Sequence, residues 1–92
     1  MKLWGMLKKD QKIIRDMIYE ITDENLSDEE QLHLTLEAIC REFDIPKPLW
    51  LIKHKNEFMR FSRTTFKAEH FMEEIRFDSF EIEVVIDKKK EK

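Results

Sequence analysis

The chain has 92 residues, a formal net charge of −3, 41% apolar residues and 40% charged ones. That length holds one domain with a modest core, and a single Gly with two Pro excludes collagen-like and low-complexity classes. One cysteine, Cys40, excludes an intrachain disulfide and a cysteine zinc cluster, and a net acidic balance argues against a general nucleic-acid binder.

A chain of this size without disulfides suits a reducing compartment. The apolar run Leu3 to Leu7 is closed by Lys8 and Lys9, too short for a signal-peptide core or a membrane span. The expectation is a cytoplasmic protein with no membrane partner. Charge is distributed in blocks. From Glu20 to Pro46 there are nine acids against Arg41, and from Lys47 to Lys67 six bases against Glu57. From Ala68 to Asp87 there are seven acids against Arg76. Such blocks either complement each other within one fold or face partners.

In chain order, Lys2 to Ile21 predicts a β-hairpin: a short strand Leu3–Leu7, a turn Lys8-Lys9-Asp10-Gln11, and a longer strand Lys12–Ile21 rich in isoleucine. Gly5 inside the first strand points to a bulge or a close packing neighbour. Alternation puts Ile13, Arg15, Met17, Tyr19 and Ile21 on one face of the second strand, with Lys12, Ile14, Asp16, Ile18 and Glu20 on the other. Neither face is cleanly polar, so both sides of the sheet are expected to be partly covered, one of them by a helix.

The strongest local signal is Ser27 to Phe43. Ser27 and Glu30 form an S-x-x-E capping box, and Asp28, Glu29 and Glu30 crowd the first turn at the positive end of the helix dipole. Leu32, Leu36, Ile39, Cys40 and Phe43 then make one apolar stripe. Pro46 requires that helix to stop by Ile45. Pro48 suits the first position of a second helix, reaching roughly Phe61 and bent near Asn56. Ser62 to Phe77 reads as a turn and an irregular segment with one short helical turn. Phe80, Ile82, Val84 and Ile86 alternate with Glu81 and Glu83, a half-buried last strand. Glu81 and Glu83 could then lie beside Lys12 or Arg15. The tail 88–92 has nothing apolar to hold it and is expected to be disordered and basic.

These elements predict a single α+β domain over 1–87, order β-β-α-(α)-β. Its sheet has three antiparallel strands, the N-terminal hairpin plus the C-terminal strand, packed on one main helix. The start MKLWG with Lys9-Asp10, the turn Asp44 to Trp50 (DIPKPLW) and the strand Phe77 to Glu83 (FDSFEIE) resemble a small family of uncharacterised bacterial proteins. The resemblance implies a similar small α+β fold and a bacterial cytoplasmic origin. It carries no activity, ligand or functional residue.

Three chemistries can be written on these residues. His54-x-x-Glu57 and His70-x-x-Glu73 would each put an imidazole and a carboxylate on one helical face, and together could offer four ligands to a metal. With 13 Glu in the chain such pairs arise readily by chance, His33 with Glu37 being another, and no H-E-x-x-H spacing is present. Cys40 with a histidine could make a nucleophile, but it lies on the apolar stripe where free cysteine is a small hydrophobe. In the basic segment 47–67, Lys53, Lys55, Arg60 and Arg63 could meet phosphates, with Trp50 or Phe58 stacking on bases in a helix-turn-helix-like arrangement. Two prolines in the turn and an acidic first helix argue against it. A single glycine leaves no room for a phosphate loop or a dinucleotide fingerprint.

The reading that follows is a non-catalytic protein with no cofactor, acting through an unknown protein partner or as a homodimer. A nucleic-acid-binding module ranks second and a metal-dependent enzyme third.

Overall fold

The computed structural model describes residues 1–86. The expected domain end at Asp87 and the expected disordered tail at 88–92 lie outside the described residues. The elements are β1 (Lys2–Lys9), β2 (Lys12–Glu20), α1 (Asp28–Phe43), α2 (Ile52–Phe61), β3 (Arg63–Lys67), a 3-10 turn (Ala68–His70) and β4 (Ser79–Val84). The class is α+β with an antiparallel sheet, but the sheet has four strands, not three, in the order β2-β1-β4-β3. The extra strand is β3, in the stretch expected to be irregular. Thr64 and Phe66 point into the core and Arg63 and Lys67 out, so strand alternation is present with only one large apolar residue to signal it.

The β1–β2 turn is two residues, Asp10 and Gln11, both with positive φ (55° and 67°) as a type I′ hairpin turn requires. The Asp78 carboxylate accepts the Asp10 amide at 2.8 Å, and the Asp78 amide donates to the Lys8 carbonyl, so the segment before β4 holds the hairpin tip. A bulge falls between Leu7 and Lys8: Leu7 pairs with Arg15 but Lys8 with Ile13, leaving Ile14 extra. Ile13 thereby moves to the face of Lys8, away from the face alternation assigns it.

Helix α1 forms as its sequence dictates. Ser27 Oγ accepts the Glu30 amide at 3.1 Å and Glu30 Oε1 accepts the Ser27 amide at 2.9 Å. The helix ends at Phe43 because Asp44 turns left-handed (φ 58°), while the amides of Asp44 and Ile45 return to the carbonyls of Arg41 and Cys40 in a Schellman motif. Helix α2 begins at Ile52 rather than Pro48, and residues 45–51 form an irregular connector, so the prolines serve the connector and not a helix start.

Both helices and the 3-10 turn lie on one side of the sheet. Leu3, Leu7, Phe66, Phe80 and Ile82 from the strands meet Leu36, Ile39, Cys40 and Phe43 from α1 in one core, closed by Phe71 and Phe77. Gly5 explains the close approach of α1: a Cβ there would lie 2.8 Å from Ile39 Cγ2. The expectation of a close packing neighbour at Gly5 is met.

The opposite side carries Trp4, Met6 and Lys8 of β1, Asp16 and Ile18 of β2, Glu81 and Glu83 of β4, and Arg63 and Thr65 of β3. The core cluster does not extend there, and this face is covered only in part, by its own side chains. Met6 is buried on this face without a helix above it. Trp4 Nε1 donates to Asp16 at 2.8 Å and Lys8 Nζ to Glu81 at 2.7 Å, and both acceptors are the cross-strand neighbours of Met6. The two bonds close over it. β4 pairs with β1, so Glu81 meets Lys8 rather than Lys12 or Arg15, and Arg15 lies on the helix side over the Phe43 ring. Among the described residues no helix is long and apolar enough to cross a membrane.

Candidate functional site

Two of the sequence-predicted residues, His54 and His70, come together. His54 is fully buried and His70 nearly so, and their rings meet edge to face with centroids 4.5 Å apart. Each stands three residues after the start of a helical turn and reaches back to it. His54 Nδ1 accepts the Leu51 amide at 3.0 Å, and His70 Nδ1 accepts the Lys67 amide at 2.9 Å. An imidazole here does what the carboxylate of a capping box does, satisfying an orphan amide at a helix start. Since each Nδ1 is an acceptor, each neutral ring carries its proton on Nε2. His54 Nε2 has no partner among the described residues. Its ring packs on Phe66 at 4.5 Å and on Trp50 at 6.1 Å. Burial lowers the His54 pKa from its ordinary value, with further lowering from His70 and Lys53 and an opposing effect of Glu57.

The carboxylates proposed to join them are elsewhere. Glu57 accepts from Thr64 Oγ1 at 2.6 Å and so serves the buried hydroxyl of β3. Glu73 is exposed, beyond the 3-10 turn. Among the described residues no group of three or more His, Cys, Asp or Glu could hold a metal ion. The H-x-x-E spacing is real, but each histidine points backwards along the chain, to the amide three residues before it. Backbone geometry, which the spacing does not reveal, decides that direction.

Cys40 sits in the core, and burial pushes its thiol up to about 12. It stays a thiol at neutral pH and lacks the thiolate that nucleophilic chemistry needs. The basic residues Lys53, Lys55, Arg60 and Arg63 are all exposed, but they do not converge. Lys53 and Arg60 share a face of α2. Lys55 instead lines a groove of about 420 Å³ between α1 and α2, with Asp28 and Glu29. Arg63 lies on the open sheet face opposite Glu83. The basic block partly complements the acidic helix: Lys47 Nζ lies 3.8 Å from Glu37. The eight-residue connector between α1 and α2 also replaces the tight turn of a helix-turn-helix.

The surface that remains is the β2 margin of the sheet. β2 is an edge strand nine residues long, and of its residues only Met17 is half-buried while the rest are exposed. Ile13 and Ile18 are exposed on the open face, Ile18 opposite Trp4, while Tyr19 is exposed on the helix side and Ile14 at the bulge, all 38–56% accessible. The other edge, β3, is five residues long and packs against α2. The orientation of the β2 backbone follows from the first pair of the ladder. Met1 and Ile21 exchange both main-chain hydrogen bonds, so Leu3–Tyr19, Gly5–Met17 and Leu7–Arg15 do likewise by alternation. The amides and carbonyls of Asp16, Ile18 and Glu20 therefore point outward, away from β1.

Comparison of the chain with protein-family models, with curated proteins and with solved structures gives no match.

Proposed function

We propose that this protein is a non-catalytic contact module of the bacterial cytoplasm whose working surface is the β2 margin, where an extended strand adds to the sheet. One observation carries the reading. β2 is long, its outward amides and carbonyls have no strand beside them in the four-stranded sheet, and exposed isoleucines flank them. Soluble proteins blunt such edges with charge, proline or short length, because an open ladder templates pairing. Here the second half of the strand keeps Met17-Ile18-Tyr19 without a proline, after the charged centre Arg15-Asp16. Strand addition supplies main-chain hydrogen bonds for affinity and side-chain pairing for selectivity. The placement in the bacterial cytoplasm rests on the family resemblance of the MKLWG, DIPKPLW and FDSFEIE stretches and on the lack of disulfides.

Photocrosslinking in the producing cell tests this. Benzoylphenylalanine replacing Ile14 should give protein adducts, to this chain or another, that Ile18→Lys abolishes. The same probe replacing Met72, which is 83% exposed just after the 3-10 turn that follows β3, should give none. Equal or absent adducts from both positions would remove the reading.

A further inference from the structure

We infer that the His54–His70 junction is an acid-operated latch: a proton and the cap of α2 compete for one ring nitrogen, so acid frees the first turn of α2 and the end of its connector from the 3-10 turn while α1 and the sheet hold. What seats α2 is the observation behind this. A helix on a sheet ordinarily buries a stripe of aliphatic side chains. α2 buries one residue fully, and that residue is His54, with Glu57 and Phe58 half-buried beyond it. Ile52, Met59 and Phe61 are 58–77% exposed, so the apolar residues at its ends do not anchor it. The buried core cluster of the strands, α1, Phe71 and Phe77 contains no residue of α2. A titratable ring therefore stands where an anchoring leucine would.

An incoming proton has one place to go. In the closed junction His54 Nδ1 accepts the Leu51 amide and Nε2 carries the ring's hydrogen, so a second proton must displace that amide from Nδ1. The surroundings disfavour the charged ring, burial most, then His70 and Lys53, against the attraction of Glu57. Glu57 is itself engaged by Thr64 Oγ1. From the 3-10 turn the facing group is His70, whose Nδ1 holds the Lys67 amide and whose Nε2 lies 3.5 Å from Glu69. β3 and the connector present the uncharged rings of Phe66 and Trp50, with His33 of α1 beyond Trp50. The closed state also leaves the Nε2 hydrogen of His54 without an acceptor among the described residues, and opening to water satisfies it. Proton uptake and opening are thus one event, which bares the faces of Phe66 and Trp50 that the imidazole covers.

Native-state amide exchange of the full chain separates this local opening from global unfolding, read by NMR at pH 7.5 and 5.5 in low urea and corrected for intrinsic rates. The Leu49 and Leu51 amides, bonded to His70 and His54, should exchange through an opening that hardly depends on urea. They should be less protected than Leu36 and Ile39 of α1. Their protection should fall about five- to tenfold between pH 7.5 and 5.5, since a freed imidazole binds its proton near the ordinary value of about 6.5. His54→Gln keeps an acceptor for the Leu51 amide, does not titrate, and should remove most of that fall. Ring-nitrogen spectra at pH 7.5 need no variant: His54 should carry its proton on Nε2 and none on Nδ1. Leu49 and Leu51 exchanging in step with Leu36 and Ile39, with the same urea dependence, would overturn the latch. So would protection unchanged with pH, an equal fall in His54→Gln, or a proton on Nδ1 at pH 7.5.

Discussion

His54 and His70 meet edge to face 4.5 Å apart, each ring holding a main-chain amide of its own helical turn through Nδ1. The pair ties the start of α2 to the 3-10 turn before β4, two segments 16 residues apart that the sheet alone does not join. The Leu49 amide, donating to the His70 carbonyl at 2.8 Å, closes the same junction.

That junction should respond to acid. His54 takes up a proton near its ordinary value of 6.5 when unfolded, but only at lower pH when folded, because burial and then His70 and Lys53 disfavour the charged ring. Between those two values the unfolded chain binds more protons. The stabilisation is therefore complete above pH 6.5 and is lost as pH falls toward the folded-state pKa. One such group gives a slope of at most about 1.4 kcal/mol per pH unit. Thermal melts at pH 7.5 and 5.5 should differ for the wild type and less for His54→Gln, which keeps an acceptor for the Leu51 amide but does not titrate. Identical wild-type melting points would contradict the account.

Gly5 makes a sharper test of packing. Gly5→Ala would bring a methyl to 2.8 Å from Ile39 Cγ2, a fully buried side chain, and to 3.4 Å from Phe80 Cε1. Overpacking costs about 1–3 kcal/mol, against about 0.4–1 kcal/mol gained from a stiffer unfolded chain, so the substitution destabilises. In a double-mutant cycle by urea denaturation, combining it with Ile39→Ala should cost less than the two single changes summed. Strict additivity would mean that the two residues do not press on each other.

Ser27→Ala should lower stability by about 0.5–2 kcal/mol, since it removes the acceptor of the Glu30 amide at the start of the helix that supplies much of the core. The denaturation midpoint reads this, and an unchanged midpoint would deny the cap its role.

Nucleic acid is the alternative that solution data can retire. Only Lys53 and Arg60 share a surface while Lys55 and Arg63 lie on two others, so fluorescence anisotropy with short single- and double-stranded DNA and RNA should show nothing tighter than non-specific binding. A submicromolar complex that weakens steeply with salt would reverse the ranking of the two functions. Salt also separates routes of self-association. An edge-to-edge dimer should persist as the Debye length falls from about 10 Å at 0.1 M to about 3 Å at 1 M, while one between the acidic and basic blocks should dissolve.

What the chain determined by itself is local. Ser27, Glu30 and the stripe from Leu32 to Phe43 define α1 because capping and 3.6-residue periodicity act within one turn of the main chain. The hairpin and the last strand are legible for the same reason, through alternation over neighbouring residues. Tertiary structure decided the rest. Arg63–Lys67 becomes a strand because β4 offers it a ladder and Glu57 satisfies buried Thr64, neither of which lies within the segment. Ile13 changes face because a bulge opposite Lys8 inserts one residue into the count. His54 and His70 become caps rather than ligands because the folded chain brings their rings to a shared buried site and sends Glu57 and Glu73 elsewhere. Spacing along a chain constrains which side chains share a face. Which neighbour each one meets is settled only when distant segments pack, since burial and hydrogen-bond satisfaction are properties of the assembled fold.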